Sequence, residues 1–341
     1  MNRWSPRLAV TLVCILAFPF ASFAPLVYRP GEGWVYEPVG GGKWIRTNAK
    51  DQLDVAQSAF DEKDYGLAMK AARRVIKAWP DADTEYAAAA RYVVARCHEA
   101  KGQDERAFNE YQGILEKHPK VENYQEILQR EFEIADRFLA GQWFKLWGYI
   151  PFFPSMDKTV QMYEKIIKNG PHSAVAPAAQ MNIGAAREQQ VSFFNRFDPF
   201  REAVKAYEKA ADQYRDNRSI ASEALFKAGH AYFRQAKKAD YDQNVAGQAI
   251  ATFTDFITLY PADPRVPEAR DVITSLKIEQ ARGNFEIAHY YERKRQWKGA
   301  RIYYNAVVSI LQSEPDPPYV QAAKDRIVAL DEIILAQSPP R

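Results

Sequence analysis

The chain has 341 residues, of which 47% are hydrophobic and 26% charged, a globular mixture that excludes collagen-like, low-complexity and disordered classes. Forty-six basic residues face 43 acidic ones, a formal charge of +3, so the basic excess of a nucleic-acid binder is missing. The two cysteines, Cys14 and Cys97, are too few for a disulfide framework or a cysteine-based metal site.

Residues 1–7 carry Arg3 and Arg7 and no acid, and an apolar run from Leu8 to Ala24 follows, broken by Pro19. That length suits a secretory signal better than a membrane span. We therefore expect residues 1–24 to be a signal ending at Ser22-Phe23-Ala24, with Ala21 or Ser22 as alternative sites because Pro25 follows Ala24. An uncleaved anchor is the other reading. Cys14 lies early in the run behind Val13, which does not suit lipidation. Residues 25–48 are rich in turn formers, with Gly31, Gly33 and Gly40-Gly41-Gly42 around Val35, Tyr36 and Trp44, and read as extended chain or a small hairpin.

From residue 49 to 336 one helical template recurs. A small residue is followed at +4 by an aromatic or Ala, at +7 by an apolar residue and at +12 by Pro. It appears as Ala68-Ala72-Val75-Pro80, Ala107-Tyr111-Ile114-Pro119, Thr159-Tyr163-Ile166-Pro171 and Ala249-Phe253-Phe256-Pro261. Without the terminal proline it appears as Ala203-Tyr207-Ala210 and Ala300-Tyr304-Val307. Positions 0, +4 and +7 share a helical face, the small residue admits a close neighbour, and proline ends the helix. Ala95 and His98, Gly229 and Tyr232, and Ala288 and Tyr291 hold equivalent small and aromatic positions in the preceding helices. Residues 318–336, with Val320, Ala323, Ile327 and Leu330 on one side, read as a closing helix, and 337–341 as a tail.

These residues resemble the tetratricopeptide repeat, which implies an all-α solenoid of about six helix–turn–helix units. The six phases are 39, 52, 44, 46 and 51 residues apart, longer than the usual unit of about 34, so long helices and insertions are expected. Within residues 248–315, Ala251-Thr252-Phe253-Thr254-Asp255-Phe256, Leu259-Tyr260-Pro261, Leu276-Lys277, Ala288-His289-Tyr290-Tyr291 and Trp297 follow in order. This stretch resembles the BamD family of outer-membrane β-barrel assembly repeat proteins. The resemblance implies a periplasmic, outer-membrane-associated scaffold whose partners are the barrel-forming subunit and unfolded outer-membrane proteins.

Residues 141–154 hold eight Trp, Phe, Leu, Tyr or Ile among fourteen, and Pro151 and Pro154 bar a regular helix. Trp143, Phe144, Trp147, Tyr149, Ile150, Phe152 and Phe153 are therefore candidate contacts for a partner or, peripherally, a membrane. The other reading folds them back over the repeat groove. Tyr290 lies about 100° around its helix from the packed Tyr291 and is an eighth candidate. A second aromatic cluster, Phe193 to Phe200, reads as an inter-helix plug, and Cys97 as a buried packing residue. The five histidines show no metal spacing, and no phosphate loop or nucleophile elbow occurs. No cofactor is expected. The reading is a non-enzymatic, protein-binding scaffold; its alternative is a general periplasmic adaptor for envelope or cell-wall organisation, and an enzyme with a site assembled across repeats ranks last.

Overall fold

The computed structural model describes residues 26–29, 33–36, 44–79, 84–146, 150–153, 155–190, 198–238, 243–314 and 319–336. The expected signal, most of the Phe193–Phe200 cluster and the tail lie outside them. Two short strands, β1 (Leu26–Arg29) and β2 (Gly33–Tyr36), pair antiparallel.

Thirteen helices follow among the described residues. They form six consecutive pairs: α1 (Ala49–Asp61) with α2 (Tyr65–Ala78), α3 (Thr84–Ala100) with α4 (Asp104–Lys117), and α5 (Tyr124–Leu139) with α6 (Met156–Asn169). Then come α7 (Ala176–Glu188) with α8 (Pro199–Gln213), α9 (Arg218–Lys238) with α10 (Gln243–Leu259), and α11 (Val266–Arg293) with α12 (Trp297–Ile310). The last helix, α13 (Val320–Ala336), closes on α12 with Ala323 and Leu330 buried. The architecture is thus an all-α, tetratricopeptide-like repeat array. All six template phases fall in the second helix of a pair. Every residue at their 0, +4 and +7 positions is at most 1% exposed, so the template is the packing seam. Where the terminal proline is described, at 119, 171 and 261, its helix ends two residues earlier, as its clash with the preceding turn requires.

Helix contacts group the chain into two compact units, one up to Cys97 and one from His98. In the first, Leu53, Ala56 and Ala59 of α1 meet Ala68, Ala72 and Val75 of α2 and Val93, Val94 and Cys97 of α3. Cys97 is buried there. In the second, successive helices from α4 to α13 each pack on the next.

The turns inside the pairs are of two kinds. Pairs one, two and six use one tight three-residue turn whose middle residue is left-handed: Lys63 (φ 62°), Gly102 (φ 64°) and Arg295 (φ 57°). In each, the amide three residues after the helix reaches five residues back, Asp64 to Ala59, Gln103 to His98 and Gln296 to Tyr291, which satisfies carbonyls the helix end leaves open. Pairs three, four and five carry longer connections at the same place, and these account for part of the extra repeat length.

A second regularity runs through the seam. The +4 tyrosine of the second helix donates its hydroxyl to an acid late in the first: Tyr111 to Glu99, Tyr163 to Asp136, Tyr207 to Glu188 and Tyr304 to Glu292. A buried hydroxyl needs such a partner. Pair five lacks both members: the tyrosine is Phe253, and Phe233 stands where the acid would be, four residues after Gly229. Close helix approach comes from glycine. A Cβ on Gly184 would sit 2.3 Å from the Tyr207 ring, and one on Gly229 would sit 2.8 Å from Phe253.

Candidate protein-binding surface

The long connection in pair three is an antiparallel ribbon of β3 (Phe144–Leu146) and β4 (Ile150–Phe153). Gly141, at φ 101°, turns the chain off α5 in a conformation that glycine adopts without a steric cost. A polar clamp then holds the ribbon's root. Arg137 forks onto Asp104 at 3.1 and 3.0 Å, Gln142 donates to Asp104 at 2.6 Å, and the Lys145 amide donates to Glu105 at 3.1 Å. Phe144, 3% exposed, stacks on Phe138 with centroids 4.1 Å apart, and the Lys158 ammonium lies 4.8 Å from its ring. Lys158 also pairs with Glu105. The chain leaves the ribbon through Ser155, whose hydroxyl caps α6 at Lys158.

The eight candidate contact residues therefore separate. Phe144 anchors the ribbon, and a partner reaches its ring only by displacing Lys158. Trp143 is 51% exposed beside that anchor, and Tyr290 is 52% exposed on α11. Ile150, Phe152 and Phe153 lie in β4, whose backbone alone is described, and Trp147 and Tyr149 lie outside the described residues. Trp143 and Tyr290 are not brought together into one site. Tyr291, next to Tyr290, stacks parallel on Tyr303 at 5.4 Å, so adjacent tyrosines of one helix divide between packing and surface. Further exposed apolar residues, Ile302 on α12 and Val328 and Leu335 on α13, were not singled out by sequence. Val328 and Leu335 are seven residues apart and share a helical face.

Polar groups inside the array are structural. Glu131 of α5 is 0% exposed; Gln112 donates to its Oε1 at 2.8 Å, and its Oε2 has no hydrogen-bond partner. Burial pushes this carboxyl up to about 8, against the Gln112 hydrogen bond and the charge of Lys165, with Glu116 adding to the rise. It is therefore neutral at neutral pH and sealed from any substrate. Asn169 donates to Gln112, and Tyr124 donates to the Asn169 carbonyl, which joins α4, α5 and α6. Burial also raises Asp136, which accepts from Tyr163 and Asn182.

Toward α9–α11 the joints are aromatic. His230 meets Phe226 edge-on at 4.6 Å and Phe253 at 5.2 Å, and its Nε2 lies 3.3 Å from Glu268. Burial lowers its pKa despite Glu268. Arg265 lies over Phe226 and Phe256 and forks onto Asp263, which its hydrogen bonds hold down at about 2. Among the described residues no group of three or more His, Cys, Asp or Glu is placed to hold a metal, and no helix is long and apolar enough to cross a membrane.

Residues 198–317 match the outer membrane lipoprotein family YfiO, and residues 89–120 match a tetratricopeptide repeat family. The first match covers α8 to α12 and so includes Tyr290. No curated protein matches the chain. Solved structures similar to it include the C-terminal part of a repeat-containing protein from Cytophaga hutchinsonii, 16% identical over 84% of this chain and 90% of that one, with a TM-score of 0.36. A tetratricopeptide repeat protein from Parabacteroides merdae is 10% identical over 83% and 98%, with a TM-score of 0.31. BtubC from P. vanneervenii is 16% identical over 87% and 96%, with a TM-score of 0.29.

Proposed function

We propose that this chain is a non-enzymatic, protein-binding repeat scaffold of the cell envelope that takes part in outer-membrane β-barrel assembly. The observation that carries the reading is the match of residues 198–317 to an outer membrane lipoprotein family, because it covers five consecutive helices. Those helices leave Tyr290 and Ile302 exposed, and aromatic anchors supply much of the energy at protein interfaces. Trp143 adds a second anchor at the root of the ribbon. An exported location follows from the N-terminal segment, in which Cys14 lacks the small residue that precedes a lipidated cysteine. On this reading the chain is held at the membrane by its partners. The partners are the barrel-forming subunit and unfolded outer-membrane proteins, with peripheral membrane contact through the ribbon aromatics.

Affinity pull-down from solubilised envelopes tests the reading. Recovery of the barrel-forming assembly subunit with the full chain is the expected result. Its reproducible absence, with other envelope proteins recovered, would replace this role by that of a general envelope adaptor.

A further inference from the structure

A cleft of about 410 Å³ opens where α6, α7 and α8 meet, away from the ribbon root and from Tyr290. Its apolar lining is Ile167, Ile183 and Ala206. Its rim carries Lys168, Arg187, Lys205 and Lys209 against Glu164 and Glu202, two more positive charges than negative. Lys205 pairs with Glu202 at 2.7 Å and Arg187 with Asp157 at 3.1 Å. Lys168 and Lys209 are exposed, and among the described residues no carboxylate pairs with either.

Gln180 of α7 also lines the cleft, and it is 2% exposed. Its Nε2 donates to the Ala206 carbonyl at 3.2 Å. That carbonyl can only accept, so the amide cannot be flipped. Its Oε1 is left without a hydrogen-bond partner. A buried acceptor without a donor is costly. This oxygen is sealed as the side chain rests, so a backbone N–H in the cleft supplies the missing donor with a small turn of the Gln180 side chain.

We propose that this cleft binds an acidic, extended polypeptide segment. The segment's carboxylates pair with Lys168 and Lys209, its small side chains lie on Ile167, Ile183 and Ala206, and a backbone N–H donates to Gln180. Three features select this occupant together: cationic rim, apolar floor and unpaired acceptor. A phosphate or nucleic acid would satisfy the rim alone and leave Gln180 unserved. The inference rests on the chain being a protein-binding scaffold but not on which partner it serves.

The test is fluorescence anisotropy with the full chain and a labelled octapeptide that alternates Asp and Ala. Its Asn/Ala counterpart and inorganic phosphate as competitor complete the set. Saturable binding that weakens with salt is expected, with the Asn counterpart weaker by about tenfold or more. K168E/K209E, which alters only exposed positions, should lose at least tenfold. Q180M, which keeps the size and removes the acceptor, should lose several-fold for the Asp peptide. Equal binding of the Asp and Asn peptides, an undiminished affinity in K168E/K209E, or full displacement by millimolar phosphate would overturn the proposal. Should Q180M fail to fold, K168E/K209E alone decides. Envelope pull-down with K168E/K209E keeps the two readings apart, since the barrel-forming subunit is expected on it as on the wild type.

Discussion

Pair five and its neighbours solve one packing problem in two ways. In pairs two, three, four and six the +4 ring is a tyrosine latched to an acid of the partner helix. In pair five both latch members are phenylalanine, and Phe226, His230, Phe253 and Phe256 pack edge to face instead. The close approach at a glycine is common to both, as Gly184 and Gly229 show. The difference shows that where the +4 position holds a ring, what matters is that the ring fills the seam; in pair one Ala72 takes that place and is equally buried. The hydroxyl is dispensable only when its acceptor goes with it, because a buried polar group without a partner is worse than none.

The largest break in this comparison is expected at the glycines. Gly184→Ala should cost about 3 kcal/mol, since its Cβ would lie 2.3 Å from a ring held by a latch, and Gly229→Ala should cost about 1–2 kcal/mol because its Cβ would lie 2.8 Å from a ring that no latch holds. Gly113→Ala, with nothing within 4 Å of the added Cβ, is the control and should be neutral or slightly stabilising. Urea unfolding of the three variants measures the order; equal losses at 184 and 229 would remove the latch from the explanation.

Protons provide the next test, since the α4–α6 joint holds a buried acid and the seam of pair five holds none. The folded-state value of Glu131, about 8, lies above the ordinary 4.5, so the folded state keeps a proton that the unfolded state has released. Its contribution is present below pH 4.5 and is lost as pH rises through about 8. Melting temperature should therefore fall across that window in the wild type and fall less in Glu131→Gln. Parallel curves for the two would show that Glu131 does not carry the proton.

Smaller effects sharpen the latch itself. Phe253→Tyr should cost about 1–2 kcal/mol by burying a hydroxyl without an acceptor, and adding Phe233→Glu should recover part of that loss. Tyr111→Phe should cost about 1 kcal/mol because it removes the hydroxyl's hydrogen bond to Glu99, which keeps its ion pairs with Arg130 and Arg137. The smallest effect is a gain. Lys63→Gly and Arg295→Gly place glycine where the turn requires a left-handed residue and should stabilise by up to about 1 kcal/mol, visible as a higher melting temperature.

Local periodicity made the seam legible in the sequence. Ala107, Tyr111 and Ile114 lie within eight residues, and a helix must place them on one face. The tight turns were legible in part: Ala288 to Ala300 spans twelve residues, and so do Ala95 to Ala107 and Ala56 to Ala68. The role of Gly184 was missed, although it stands 23 residues before Tyr207 much as Gly229 stands 24 before Phe253. Glu131 could not be found, because Gln112 lies on another helix and burial leaves no mark in spacing. The ribbon was read as non-helical from its prolines, but strand pairing was hidden, since Pro151 weighs against a strand except at an edge. Phe144 and Trp143 were indistinguishable by type; only the fold separates anchor from surface.

Site-specific photo-crosslinking in intact cells tests the central claim, protein capture by the exposed aromatics, most directly. A photoreactive amino acid placed at Trp143, at Tyr290 and at Asp54, an exposed position on α1, would be compared for adducts. The account predicts discrete adducts containing outer-membrane assembly proteins from Trp143 and Tyr290 and none from Asp54. The same adduct pattern from all three positions, or no envelope protein from either aromatic, would contradict it.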